Sequence, residues 1–99
     1  MADKLQINAA IQLLPLGEGA NKYKLIDEAI ELIKSSGLNY KVCPFETVVE
    51  GSSEQVYALI WQMQEQTLRN NCSELLINVK IHAATRSLSF SEKLEKYPE

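Results

Sequence analysis

"YKVCPFETVVEG", residues 40–51, decides how the chain folds. Strand-forming residues lie on both sides of one proline, and Pro44 cannot donate to a sheet ladder. The stretch therefore reads as two short strands, about Asn39–Cys43 and Thr47–Glu50, joined by a tight linker. A helix pattern flanks the pair on each side. Upstream, "NKYKLIDEAIELIKSSG" (21–37) places Ile26, Ala29, Ile30 and Ile33 on one helical face. Asn21 is its expected N-cap and Gly37 its expected C′ residue. Downstream, "SSEQVYALIWQMQEQTLRNN" (52–71) opens with Ser52 and Gln55 at capping-box spacing. Val56, Leu59, Ile60, Met63 and Thr67 form its inner stripe, and Asn70–Asn71 close it.

Longer strands lie at the two ends. "LQINAAIQLLP" (5–15) alternates with a period of two. Leu5, Ile7, Ala9, Ile11 and Leu13 face one way; Gln6, Asn8, Ala10, Gln12 and Leu14 face the other. Pro15 and Gly17 are expected to end it. In "ELLINVKIHA" (74–83), Leu75, Ile77, Val79 and Ile81 are expected inside, with Leu76, Asn78, Lys80 and His82 outside. "FSEKLEKYPE" (90–99) is a short helical tail. The order is β-α-β-β-α-β, an α+β arrangement of ferredoxin-like type within a single domain, 1–99. Right-handed crossovers place the first and third strands in the centre of a four-stranded antiparallel sheet. Both helices then cover one face. The other face carries Gln6, Asn8, Gln12, Asn78, Lys80 and His82, mixed with apolar residues. Such a face is solvated, packed on a second subunit, or the floor of a ligand site.

Composition narrows the function. The chain has 99 residues, 45% apolar and 23% charged, which suits one small core rather than disorder. "MADKLQ" at the N-terminus lacks the apolar core of a signal peptide. No apolar run approaches the roughly 20 residues that span a bilayer. The expectation is a cytoplasmic protein with no membrane partner. The net charge of -3 and two separated arginines, Arg69 and Arg86, argue against nucleic acid. The two cysteines, Cys43 and Cys72, match no metal or redox spacing. His82 is the only histidine and has no matched nucleophile. There is no G-x-S-x-G elbow, no H-E-x-x-H and no P-loop. "LGEGANKYK" has no arginine to cradle an acyl phosphate. No cofactor or metal is expected, and nothing in the chain argues for an enzyme. Tyr57 and Trp61, four apart on the second helix, form a second stripe expected to pack on the tail or on a neighbouring subunit rather than to stack directly on a ligand.

"GLNYKVCPFETVVEG" (37–51) resembles the signature segment of the YkoF-like thiamine-binding protein family, also called DUF77 or UPF0045. The matching positions are Gly37, Leu38, Tyr40, Val42, Pro44, Thr47, Val49, Glu50 and Gly51. "IQLLPLG" resembles the family's first strand and "FSEKLEKY" its C-terminal tail, so the resemblance covers nearly the whole chain. It implies a ferredoxin-like fold, a homo-oligomer (dimer or tetramer), and binding of thiamine or its hydroxymethylpyrimidine moiety. It does not imply catalysis.

The residue types suit that ligand. An aminopyrimidine presents an amino donor beside ring-nitrogen acceptors, which amides such as Asn8, Gln12 or Asn78 can pair in two places. Glu50 can accept from the amino group or face the thiazolium charge. Thr47 can donate or accept, and Phe45 or Tyr40 can cover the flat ring. One constraint follows from strand geometry. Thr47 and Glu50 are three apart, so in an uninterrupted strand they point to opposite faces. Both reach one ligand only through the turn, a bulge or a second subunit. Structural roles compete with binding: Thr47 can simply start its strand, Glu50 can accept a bond from the first turn of the following helix, and Gly51 can serve the turn's backbone. Two other readings remain: an oligomeric regulatory or scaffold module for another metabolite or a protein, and a small dimeric α+β barrel enzyme acting through His82.

Overall fold

A computed structural model of the protein describes residues 5–97; the first four residues and the last two of the tail, Pro98 and Glu99, lie outside them. The elements are β1 (Gln6–Leu16), α1 (Lys22–Ser35), β2 (Asn39–Val42), β3 (Thr47–Ser52), α2 (Ser53–Arg69), β4 (Glu74–His82) and α3 (Phe90–Leu94). The sheet order is β2-β3-β1-β4, and every neighbouring pair is antiparallel. This is the expected ferredoxin-like arrangement, with β3 and β1 in the centre.

Local chemistry explains the boundaries. Asn21 accepts from the Lys24 N–H at the start of α1, and Gly37 follows its end at a φ of 80° that favours glycine. Ser52 and Gln55 form a reciprocal capping box at the start of α2. Asn70 caps the other end, and Asn71 turns the chain in the left-handed region. Gly51 has a different use from the one expected of it: its φ is not in that region, but an added Cβ would stand 2.9 Å from Leu38 Cδ2. Its missing side chain makes room for Leu38 against β3.

The core lies between the sheet and the two long helices. Ile7, Ala9, Ile11 and Leu13 of β1 meet Val49 of β3, Ala29 and Ile33 of α1, and Val56, Leu59 and Met63 of α2. Leu25 is buried at the first turn of α1, while Ile26 and Ile30 are only half-buried, so the inner stripe is rotated slightly from the expected one.

Three details of the strands differ from expectation. Leu5 lies outside β1 and is exposed. Pro15 does not end β1 but pairs with Leu75 within it. The β1–β3 pairing stops at Ile11, so β1 is an edge at Pro15 and a missing N–H is tolerated there. Val79 and Ile81 share the helix-facing side with Ile11 and Ala9, yet both are exposed, because β4 is the sheet's edge and the helices do not cover its far end.

Truncating Ile33, which is 1% exposed in the middle of this core, is expected to cost about 2–5 kcal/mol. Urea denaturation of Ile33→Ala should show a lower midpoint with an unchanged slope.

Candidate functional site

The open face is organised in rows across the sheet, set by strand register. Asn39, Glu50, Asn8 and His82 form one row, and Lys41, Val48, Ala10 and Lys80 the next. Three strand-to-strand steps separate the ends of a row, so the Lys41 and Lys80 backbones stand about 14 Å apart. Small apolar Ala10 and Val48 lie between them. Further along, Gln12 and Asn78 pair side by side, with Asn78 Nδ2 donating to Gln12 Oε1 at 3.2 Å.

This face is not bare. The C-terminal segment crosses it. Gln6 and Leu88 join through the Leu88 N–H and the Gln6 carbonyl at 2.9 Å, and Gln6 Nε2 donates to the Leu88 carbonyl at 2.6 Å. Leu88 is buried. Ser89 caps α3 by accepting from the Glu92 N–H. Glu50 fixes the start of that helix: its Oε1 accepts the Phe90 N–H at 2.7 Å, and its Oε2 accepts from Asn39 Nδ2. Glu50 thus accepts from the first turn of α3, and not from that of the helix that follows it, α2, as the sequence suggested. An ion pair stiffens the same segment, with Arg86 Nη2 at 2.9 Å from Glu92. The Arg86 hydrogen bond holds the Glu92 carboxyl below the usual carboxylate range, and Glu92 in turn raises Arg86.

Between sheet and tail lies a cleft of about 970 Å³. Its floor includes Asn8, Ala10 and Val48, its lysines are Lys41, Lys80 and Lys93, His82 lines it too, and α3 contributes Phe90 and Leu94, with Tyr97 beyond it. That volume suits a small-molecule ligand. Asn8 is 4% exposed although it sits on the open face, because the tail covers it. Its Nδ2 reaches the Leu88 carbonyl at 3.5 Å, but its buried Oδ1 has no hydrogen-bond partner. The other buried polar atom without a partner among the described residues, Thr67 Oγ1, lies on the inner face of α2 and does not line the cleft.

The structure divides the residues singled out from the sequence. Asn8 and Glu50 are cross-strand neighbours on the open face, and Gln12 and Asn78 lie farther along it. Thr47 and Tyr40 are on the helix-facing side, opposite Ile11 and Val49. No bulge interrupts the β1–β3 register, so the parity of Thr47 and Glu50 holds. Phe45, 83% exposed, is in the hairpin turn. Phe45 and Thr47 border a separate hollow of about 300 Å³ near Ile26 and Ile30 of α1. The aromatic rings that meet the cleft are instead Phe90 and Tyr97. Their sequence signal was the Ser89–Glu92 cap spacing beside apolar Leu88 and Phe90. Lys41 and Lys80 had no local signal at all; register alone brings them to one row. Tyr57 and Trp61 are exposed among the described residues. Among the described residues no group of histidine, cysteine and carboxylate side chains could hold a metal ion, and no helix is long and apolar enough to cross a membrane.

Known proteins resemble this chain along most of its length. A family model described as thiamine-binding protein matches residues 9–98. The UPF0045 protein CPE1503 of Clostridium perfringens is 30% identical over 90 residues, covering 91% of this chain and 95% of the relative. The solved structure of a DUF77 domain of unknown function from Bacillus cereus superposes with a TM-score of 0.90 at 25% identity, covering 96% of this chain and 92% of that one. A Thermotoga maritima protein proposed to act in thiamine biosynthesis or salvage superposes with a TM-score of 0.84 at 26% identity, covering 94% and 99%.

Replacing Glu50 with alanine removes the acceptor for the Phe90 N–H and for Asn39. We expect a stability loss of about 1.5–3 kcal/mol, as for hydrogen bonds to a charged group. Amide exchange should speed up at Leu88 and Phe90 and stay slow at Val49; equal acceleration at all three would show that Glu50 supports the core rather than the tail.

Proposed function

This chain belongs to the thiamine-binding protein family, and on that premise we propose that it binds thiamine, or its hydroxymethylpyrimidine moiety, without chemical turnover, in the cleft between the open sheet face and α3. The observation that carries the reading is an unused acceptor. Asn8 Oδ1 is buried, lacks a partner, and belongs to a residue that lines the cleft. A buried acceptor left unpaired costs roughly 1–3 kcal/mol, which a ligand N–H would recover. The amino group of an aminopyrimidine is such a donor. The tail now covers Asn8, so the ligand reaches it when the Leu88–Phe90 segment shifts outward. Ala10 and Val48 offer the small, flat, apolar floor a ring needs, and Phe90 and Tyr97 offer aromatic surface above it. Glu50 acts by holding α3 in place. Gln12 and Asn78 extend the polar surface beyond the ring. Thr47, Tyr40 and Phe45 belong to this ligand's site only if a second subunit brings its hairpin to the cleft.

A homo-oligomer, a dimer or tetramer in the cytoplasm, fits the remaining surface. Tyr57 and Trp61 on α2 and Val79 and Ile81 on β4 are exposed apolar side chains, and α2 packs against β4. With an unpaired strand edge beside them, they form a surface that a second copy can cover. Native mass spectrometry of Trp61→Glu should show smaller assemblies than the parent chain; an unchanged distribution removes this surface from the interface.

Calorimetry tests the ligand. Thiamine and hydroxymethylpyrimidine are expected to bind the parent chain, and Asn8→Ala is expected to weaken both by roughly tenfold. The pyrimidine lacking its amino group should lose affinity for the parent chain and lose nothing further in Asn8→Ala. Absence of binding by either ligand at millimolar concentration ends the reading.

A further inference from the structure

We propose that His82 is a second hydrogen-bonding partner of the ligand in the cleft. Its imidazole N–H donates to the ring nitrogen that stands beside the amino group taken by Asn8. This rests on the pyrimidine-binding reading above and adds the residue that reads the other half of the same edge. An aminopyrimidine edge presents a donor and an acceptor side by side, so the protein answers it with an acceptor and a donor.

Asn8 supplies the acceptor, since its Oδ1 is buried and has no partner. Its Nδ2 is directed to the Leu88 carbonyl at 3.5 Å. Chemistry fixes that orientation of the amide, because a carbonyl oxygen can only accept. Leu88 is itself tied to Gln6, through the Leu88 N–H at 2.9 Å and Gln6 Nε2 at 2.6 Å. An Asn8 that turned both ends of its amide to a ligand would forfeit its bond to Leu88. The donor then comes from a neighbour of Asn8.

Strand register sets those neighbours. In the same row they are Glu50 on β3 and His82 on β4. Glu50 is an acceptor, and its two oxygens already take the Phe90 N–H and Asn39 Nδ2. His82, the chain's only histidine, is exposed, pairs directly across from Asn8 and lines the cleft with it. Side chains opposite one another on antiparallel strands leave the backbone about 4.5–5.5 Å apart, close enough to meet one ring edge together. An imidazole carries an N–H in either tautomer, so it can always donate. Lys80, one row on beside Ala10, is a diagonal donor and enters the comparison below.

A structural use of His82 competes with this one. The Glu92 carboxyl on α3 is held low chiefly by the Arg86 hydrogen bond and least by His82. In that use His82 steadies the tail, as Glu50 does, and touches no ligand.

Calorimetry separates the two with two probes, hydroxymethylpyrimidine and the same pyrimidine without its amino group. The parent chain is compared with Asn8→Ala, His82→Phe, His82→Gln and Lys80→Gln. His82→Phe is expected to weaken hydroxymethylpyrimidine roughly three- to tenfold, the range of one neutral hydrogen bond. It should weaken the second probe by the same factor, because the ring nitrogen is still there. Asn8→Ala should weaken the first probe alone. His82→Gln keeps an N–H donor and should restore much of the loss, while Lys80→Gln should leave both probes unchanged. A single histidine also lets NMR follow one imidazole without ambiguity, and its nitrogen signals should move when hydroxymethylpyrimidine saturates the parent chain. Binding that depends on Asn8 but not on His82, or that is lost in Lys80→Gln instead, overturns the inference and leaves the pyrimidine reading standing. So does a loss in His82→Phe that comes with faster amide exchange at Leu88 and Phe90, the mark of a role in the tail. No binding of hydroxymethylpyrimidine by the parent chain at millimolar concentration ends both.

Discussion

β1 has partners on both flanks along Asn8–Ile11, and everything else in the molecule depends on that double pairing. A strand held on one side can slip by one residue and turn its faces over. A strand held on both sides by registered neighbours cannot, because a slip would bury Asn8 and Ala10 among the helices and expose Ile7 and Ile11. The alternation of β1 is therefore transmitted outward in both directions. Through β3 it fixes that Val49 is in the core and Glu50 on the open face. Through β4 it fixes that Ile77 faces the helices and that Lys80 and His82 do not.

That transmission explains why the fold was legible in the sequence. The alternation of 5–14, the Asn21 and Ser52 caps and the proline-broken hairpin are local signals, each read within a few residues. The crossover rule then leaves few ways to connect them. The misreadings have physical causes. Pro15 looked like a terminator because its place at an unpaired flank is a property of the neighbouring strand, not of β1. Val79 and Ile81 looked buried because alternation reports which face a side chain takes, and not whether anything covers that face. Leu25 was passed over because the first turn of α1 docks more closely than the stripe centred on Ile26 and Ile30 suggests.

The candidate site was legible only in part, and for a reason of the same kind. Asn8 was placed on the correct face by parity, but its burial depends on a tail eighty residues away, through the Asn8–Leu88 contact. Lys41 and Lys80 have no sequence relation at all. They share a row because Val48 and Ala10 lie between them in register. A grouping of this type is a property of topology, and no local stretch of sequence shows it.

The hairpin's contribution is correspondingly indirect. Glu50 and Thr47 point to opposite sides of the sheet, so the segment that carries the family pattern cannot present both to one ligand within a single subunit. Each side of β3 has its own task. Thr47 and Val49 join the packing against α1 and α2. Glu50 spends both carboxylate oxygens inside the chain, one on Asn39 of the neighbouring strand and one on the first turn of α3. It thereby ties the outer strand, the central sheet and the tail at one point. The open face of a ferredoxin-like sheet is by itself flat and wet. With α3 clasped over one end, the face gains a wall and a shielded acceptor at Asn8. The residue that defines the hairpin's outward side thus governs the cleft through the position of the helix it holds.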